Sequence, residues 1–417
     1  MGAISLNDTY IEWRKYDNIR AVELSNKSQY YSDLINIENS LSGRMDGNIC
    51  NLFIMEAEQL LVNAIELFEQ GYFDCAYYSL RSAVDLSTTM VFLADMPDTE
   101  REQSINAWKT TADFPMQGQM IKQLSQRGNI FVDMKVKMPD FFVAAKKLSA
   151  ELNKYVHKQG LDHFYISRNH PINQNQSQNS FIHAFEAYLH QCIGVVAVMR
   201  LAIDPFPVLL MDEEILYRCF DSMTKPYSKE FVQEYIGELT INQYKRTDLY
   251  TGTFAAFLSE EKKNEATFNV MKYQYIDSRR IEEILEQLHL LSIDDAICVL
   301  LVASCAKTVK VYSCNGIMMY FTDRNTNRKA MSWSASEFKN FSKAEDPINQ
   351  PYGAAFISVF LFNDSHYFVE HNELLTEEES KEITRFIVEF IEKEQSIFRS
   401  VTPKSLHPKM LRFMLNN

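Results

Sequence analysis

Ile54–Asp95 reads IMEAEQLLVNAIELFEQGYFDCAYYSLRSAVDLSTTMVFLAD. In its first half Ile54, Ala57, Leu61, Ala64 and Phe68 recur at steps of three and four residues, which lines them along one helical face. In its second half Phe73, Ala76, Leu80, Ala83, Ser87, Met90 and Ala94 do the same. Gly71 stands between the two runs, and glycine readily takes the left-handed conformation that ends a helix. The small residues at 76, 83 and 87 let a partner helix approach closely. The stretch therefore predicts an antiparallel helical hairpin, around which the fold is organised.

Outward from the hairpin the helical pattern continues. Pro97 and the acidic turn after it precede a short helix, and Phe114 to Asn129 carries Met120, Ile121 and Leu124. Pro139 opens PDFFVAAKKLSAELNKYVHK, a position where proline is favoured in a helix. Its apolar stripe runs Phe142, Ala145, Leu148, Leu152, Tyr155 and Val156. The polar tract NQNQSQN (173–179) is too rich in Asn and Gln to nucleate a helix. FIHAFEAYLHQCIGVVAVMRLAI (181–203) is apolar nearly all round, the pattern of a buried central helix. Pro205 and Pro207 stop it.

Beyond residue 262 the pattern changes to β-branched and aromatic runs. VKVYSC and IMMYFTDR flank Asn315–Gly316, a strong hairpin signal, and AAFISVFLFN with YFVEHNE forms a second pair. Helical runs bracket these strands. The expected architecture is mainly α: an N-terminal arm (1–46), a helical bundle (47–204), connecting helices (205–262) and a smaller α+β domain with an antiparallel sheet (263–417).

The chain of 417 residues has a net charge of −13, which argues against a protein that coats nucleic acid by general electrostatics. Seven cysteines without a CxxC pair read as mostly buried free thiols in a reducing compartment. No apolar run reaches the roughly 18 residues of a membrane span. A cytoplasmic protein with no membrane association is expected. Phosphate loops, GxSxG elbows and Cys–His signatures are absent from the sequence, and no cofactor is expected.

Gly71-Tyr72-Phe73, Ala76, Leu80 and Ala83 resemble half of a tetratricopeptide repeat, but no second copy follows, and a solenoid needs about three. YYSLRSAVDL in the hairpin, followed by a later helix ending in KYVH, resembles the HEPN superfamily of four- or five-helix prokaryotic domains. The resemblance covers about residues 47–203. It implies a toxin–antitoxin or abortive-infection setting, and in the active members a metal-independent endoribonuclease working as a homodimer.

The superfamily's signature is an Arg, usually followed by a polar residue, with a His four to six positions after the Arg. By position His157 matches the His and Asn153 the polar residue, while Leu152 stands where Arg belongs. The chemistry needs a cation beside the phosphate and an imidazole to move a proton. Lys154 is the nearest cation, and Arg168, in the Arg168-Asn169-His170 cluster, can supply one in space. If the domain cuts RNA, the resemblance implies catalysis by His157 and Asn153 with Lys154 or Arg168. Lys146, Lys147, Lys158 and His170 are then the candidate RNA-binding residues. The plain alternative for His157 is a cap at a helix C-terminus.

His183, Glu186 and His190 share one helical face, a geometry capable of holding a metal. A di-iron bundle wants paired Glu-x-x-His motifs, which are missing, so no metal is expected. The leading expectation is an HEPN-like protein that acts by binding or sensing, with RNA, a protein or a second copy as partner. The alternatives are a working endoribonuclease and a structural interaction scaffold.

Overall fold

The structure is a computed structural model, and it describes residues 21–44, 48–110, 114–164, 177–219, 223–324, 335–362 and 364–400. Its contacts divide the chain into two units, Met1–Glu261 and Lys262–Asn417. Residues 1–20 of the expected N-terminal arm lie outside the described residues.

The first unit runs through α1 (Lys27–Glu38), α2 (Asn48–Glu69), α3 (Phe73–Ala94), α4 (Asp98–Lys109), α5 (Gln117–Arg127), α6 (Ile130–Lys137), α7 (Pro139–Val156) and α8 (Gln178–Arg200). Short helical turns, a π-helical turn (Val232–Ile236), α9 (Glu238–Tyr244) and α10 (Asp248–Leu258) complete it. α2 and α3 form the expected hairpin. Gly71 sits at φ +84°, with hydrogen bonds from its own amide to the Phe68 carbonyl and from Tyr72 N–H to the Leu67 carbonyl. That pair of bonds is a Schellman motif, which satisfies the last carbonyls of α2 and turns the chain back. Ile54, Ala57, Leu61, Ala64 and Phe68 are all buried, as are Ala76, Leu80, Ala83, Ser87 and Met90 opposite them.

α7 and α8 close the hairpin into a four-helix core. Phe68 stacks on Phe185 with centroids 3.8 Å apart and meets Phe73 edge-on at 4.7 Å. Tyr77 of α3 stacks on Tyr155 of α7 at 3.9 Å. α1 buries Tyr30, Leu34 and Ile37, and its Lys27 bridges Glu66 and Glu69 of α2 at 2.6 and 2.7 Å.

α8 differs from expectation in two ways. It begins at Gln178, inside the Asn/Gln tract, because the Ser177 hydroxyl accepts the Ser180 N–H and caps it. It is buried all round only from Cys192 to Arg200; its first half is amphipathic and leaves His183 exposed. By length and composition α8 would also suit a membrane span, and 56% of that apolar window is buried inside the unit.

At the far end of α3, the Asp95 carboxyl is buried and its pKa is pushed up to about 6. Desolvation is the main cause, opposed by Arg127 and by the amides of Phe131 and Ile130. The folded state therefore binds a proton that the unfolded chain, near pKa 3.9, releases. Stability from this group is fully present below about pH 4 and is lost as pH rises through about 6. Asp95→Asn should accordingly raise stability at neutral pH by about 1–3 kcal/mol and flatten the pH dependence between 4 and 6. Urea titrations across that range measure it.

The second unit carries α11 (Glu265–Tyr273), β1 (Tyr275–Ile276), α12 (Ile281–Glu286), α13 (Ile293–Ser304), β2 (Thr308–Ser313), β3 (Met318–Thr322), α14 (Ala335–Phe341), β4 (Gln350–Tyr352), β5 (Ala355–Phe362), β6 (Ser365–His371) and α15 (Glu377–Ser400). The strand order is β1-β3-β2-β6-β5-β4, an open sheet. Both expected hairpins are present, β2–β3 and β5–β6. The sheet is mixed rather than antiparallel, because β1 joins β3 in parallel. β1 has two residues, too few to show an alternation, and Gln274 at φ +48° turns the chain from α11 into it. Val311, Tyr320, Phe360 and Val369 pack in one core with α13 and α15, while Tyr312, Ile357 and Phe368 pack with Phe338 of α14.

Candidate functional site

α7 carries the candidate residues in its last turn. Asn153 Oδ1 accepts a 2.8 Å hydrogen bond from Arg81 Nε, so an arginine from α3 reaches the residue that the sequence left without one. Arg81 is thoroughly engaged: Nη2 donates to Gln117 Oε1 at 2.9 Å, and the guanidinium forms an ion pair with Asp85 one turn along α3. Its side chain is 12% exposed, and burial pulls its pKa below the ordinary arginine value. Gln117 is held in turn by Thr88, to which its amide donates at 3.3 Å.

Comparison with protein-family models, curated proteins and solved structures returned no significant match.

The cations near Asn153 have anions of their own. Lys154 pairs with Glu151 at 2.8 Å, and Lys158 pairs with Asp74 at 2.6 Å while lying over the Tyr78 ring. Lys158 sits at φ +53°, with Gln159 N–H reaching the Lys154 carbonyl at 2.9 Å. A non-glycine residue in that conformation is costly, and the ion pair to α3 helps hold it.

His157 is the C-cap of α7: its amide bonds the Asn153 carbonyl at 2.9 Å. Its ring is exposed and makes no hydrogen bond, ion pair or ring contact among the described residues. Lys146 and Lys147 are exposed on α7, also without ion pairs among the described residues. Arg168, Asn169 and His170 lie outside the described residues.

The sequence reading missed Arg81, Gln117 and His163. The His163 ring meets Tyr155 edge-on at 4.9 Å, extending the Tyr77–Tyr155 stack toward the end of α7. The one signal for Arg81 was an Arg–Asp pair at i,i+4 inside a helix of otherwise small and apolar residues.

His183, Glu186 and His190 do not act together. His183 is 79% exposed and lies 3.5 Å from Glu186, whose other oxygen accepts from Tyr30 at 3.1 Å. His190 turns to Glu234 at 3.5 Å and packs between Tyr30 and Tyr235. Among the described residues no group of three His, Cys, Asp or Glu side chains is placed to hold a metal.

Chemically, Arg81 cannot present its bidentate fork to a phosphate without breaking bonds to Asn153, Gln117 or Asp85. Removing such donors from a buried site leaves unsatisfied partners, each costing about 1–3 kcal/mol.

Proposed function

We propose that the helical unit is an HEPN-like bundle of a prokaryotic defence or toxin–antitoxin setting that acts by binding rather than by cutting RNA. The observation that carries this reading is the engagement of Arg81. The arginine beside Asn153 ties α3, α5 and α7 together, and Lys154 and Lys158 are each neutralised by a carboxylate. A ribonuclease of this kind needs a cation with free donors next to an imidazole. Here His157 has the imidazole without that neighbour among the described residues. The exposed Lys146 and Lys147 offer a weak electrostatic contact for a polyanion, and the α+β unit serves to sense or recruit a partner.

The experiment is RNA cleavage by the purified full chain in the presence of a chelator, beside His157→Ala. The expected result is no cleavage that depends on His157. Cleavage by the wild type that disappears in His157→Ala, with circular dichroism unchanged, would overturn the reading in favour of a metal-independent endoribonuclease.

A further inference from the structure

On the first unit, a partly open cavity of about 300 Å³ lies between α7, α8, the π-helical turn and α9, and Asn153 is not among the residues that line it. Its floor is apolar, with Ala145 and Leu148 from α7 and Val195 and Val198 from α8. Its walls are Phe141, Tyr235 and Ile236. The wall is built by close backbone approach. A Cβ on Gly194 would come within 2.2 Å of the Tyr235 carbonyl oxygen, so only glycine lets the π-helical turn seat Tyr235 and Ile236 against α8. Isolated π-turns of this kind recur at functional sites.

Among the described residues, the polar side chains that line this cavity are Asp140, Gln191, Tyr235 and Thr240. Among the described residues, Asp140 contributes the one formal charge in the lining, a carboxylate, and no Lys or Arg lines it. The Gln191 amide nitrogen donates one of its two hydrogens to the Ala187 carbonyl at 2.9 Å, and its oxygen accepts no hydrogen bond among the described residues. Tyr235 donates its hydroxyl proton to Asp33 at 2.7 Å. Thr240 adds a hydroxyl that makes no side-chain hydrogen bond among the described residues. Phe141 and Tyr235 add aromatic faces, which attract cations through their quadrupoles.

We propose that this cavity binds a small amphiphilic cation, an alkyl- or arylammonium compound, with its apolar body on the α7–α8 floor and its ammonium group at Asp140 and Gln191. An anionic ligand such as a nucleotide or a carboxylic acid meets acceptors and a carboxylate there, which disfavours it. The volume lies at the small end of ligand sites, about 300–1,000 Å³, and suits one ring with a short chain.

The test is calorimetric titration of the full chain with 2-phenylethylammonium and, separately, with 3-phenylpropanoate, a matched anion. The cation should bind at least about tenfold more tightly than the anion. Asp140→Asn, at an exposed first-turn position, should weaken the cation by about tenfold. Ala144→Trp, which projects into the exposed mouth, should abolish binding with circular dichroism unchanged. Equal affinity for both probes, full affinity in either variant, or no binding to the wild type overturns the proposal.

Discussion

Arg200→Met lowers the stability of the helical unit by about 3–5 kcal/mol, measured by urea unfolding, because it breaks a buried ion pair from one side. Arg200 is fully buried near the C-terminus of α8. Its Nη2 reaches the Asp204 carboxylate at 3.0 and 3.2 Å, and Nε donates to the Ser40 carbonyl at 2.5 Å. Asp204 is also buried and accepts from the Ser42 hydroxyl and the Phe206 amide. Methionine keeps the volume but leaves Asp204 as an uncompensated buried charge and the Ser40 carbonyl without its donor. The pair joins the segment before α2 to the end of α8, so its loss also loosens the start of the hairpin. Adding Asp204→Asn removes the stranded charge and should recover part of the loss.

Phe68→Ala costs a similar amount by a different route, about 3–5 kcal/mol. Phe68 is fully buried at the end of α2, stacked on Phe185, near Phe181 at 5.3 Å and edge-on to Phe73. The substitution removes a ring from a site where three aromatic neighbours are held by two separate helices. Those neighbours cannot collapse into the gap without moving α8 against the hairpin, so a cavity remains. The same urea unfolding measures it, and a loss below about 1 kcal/mol would show that the site repacks freely.

These two residues also mark what sequence alone reveals. Phe68 belongs to a repeat of three and four residues that any helix must place on one face, so its burial was legible from spacing. The Schellman turn at Gly71 and the β2–β3 hairpin at Asn315–Gly316 were legible for a different reason, since the local chemistry of Gly and Asn-Gly specifies such turns. The Arg81–Asn153 contact was not legible, because it joins residues 72 apart in sequence and carries no period. The split of His183, Glu186 and His190 is set by Tyr30 on α1 and Glu234 on the π-helical turn, partners that helical spacing does not disclose. β1 was missed because two residues cannot show alternation, and with it the parallel edge of the sheet.

The most direct measurement is a double-mutant cycle on Arg81 and Asn153, using Arg81→Met, Asn153→Ala and the combination, read by urea unfolding beside RNA cleavage in chelator. If Arg81 is a structural tie, the two residues couple by about 1–3 kcal/mol and no variant changes RNA cleavage. Absence of coupling, together with a cleavage activity that Arg81→Met removes at unchanged stability, would contradict that role and make Arg81 the cation of an active site.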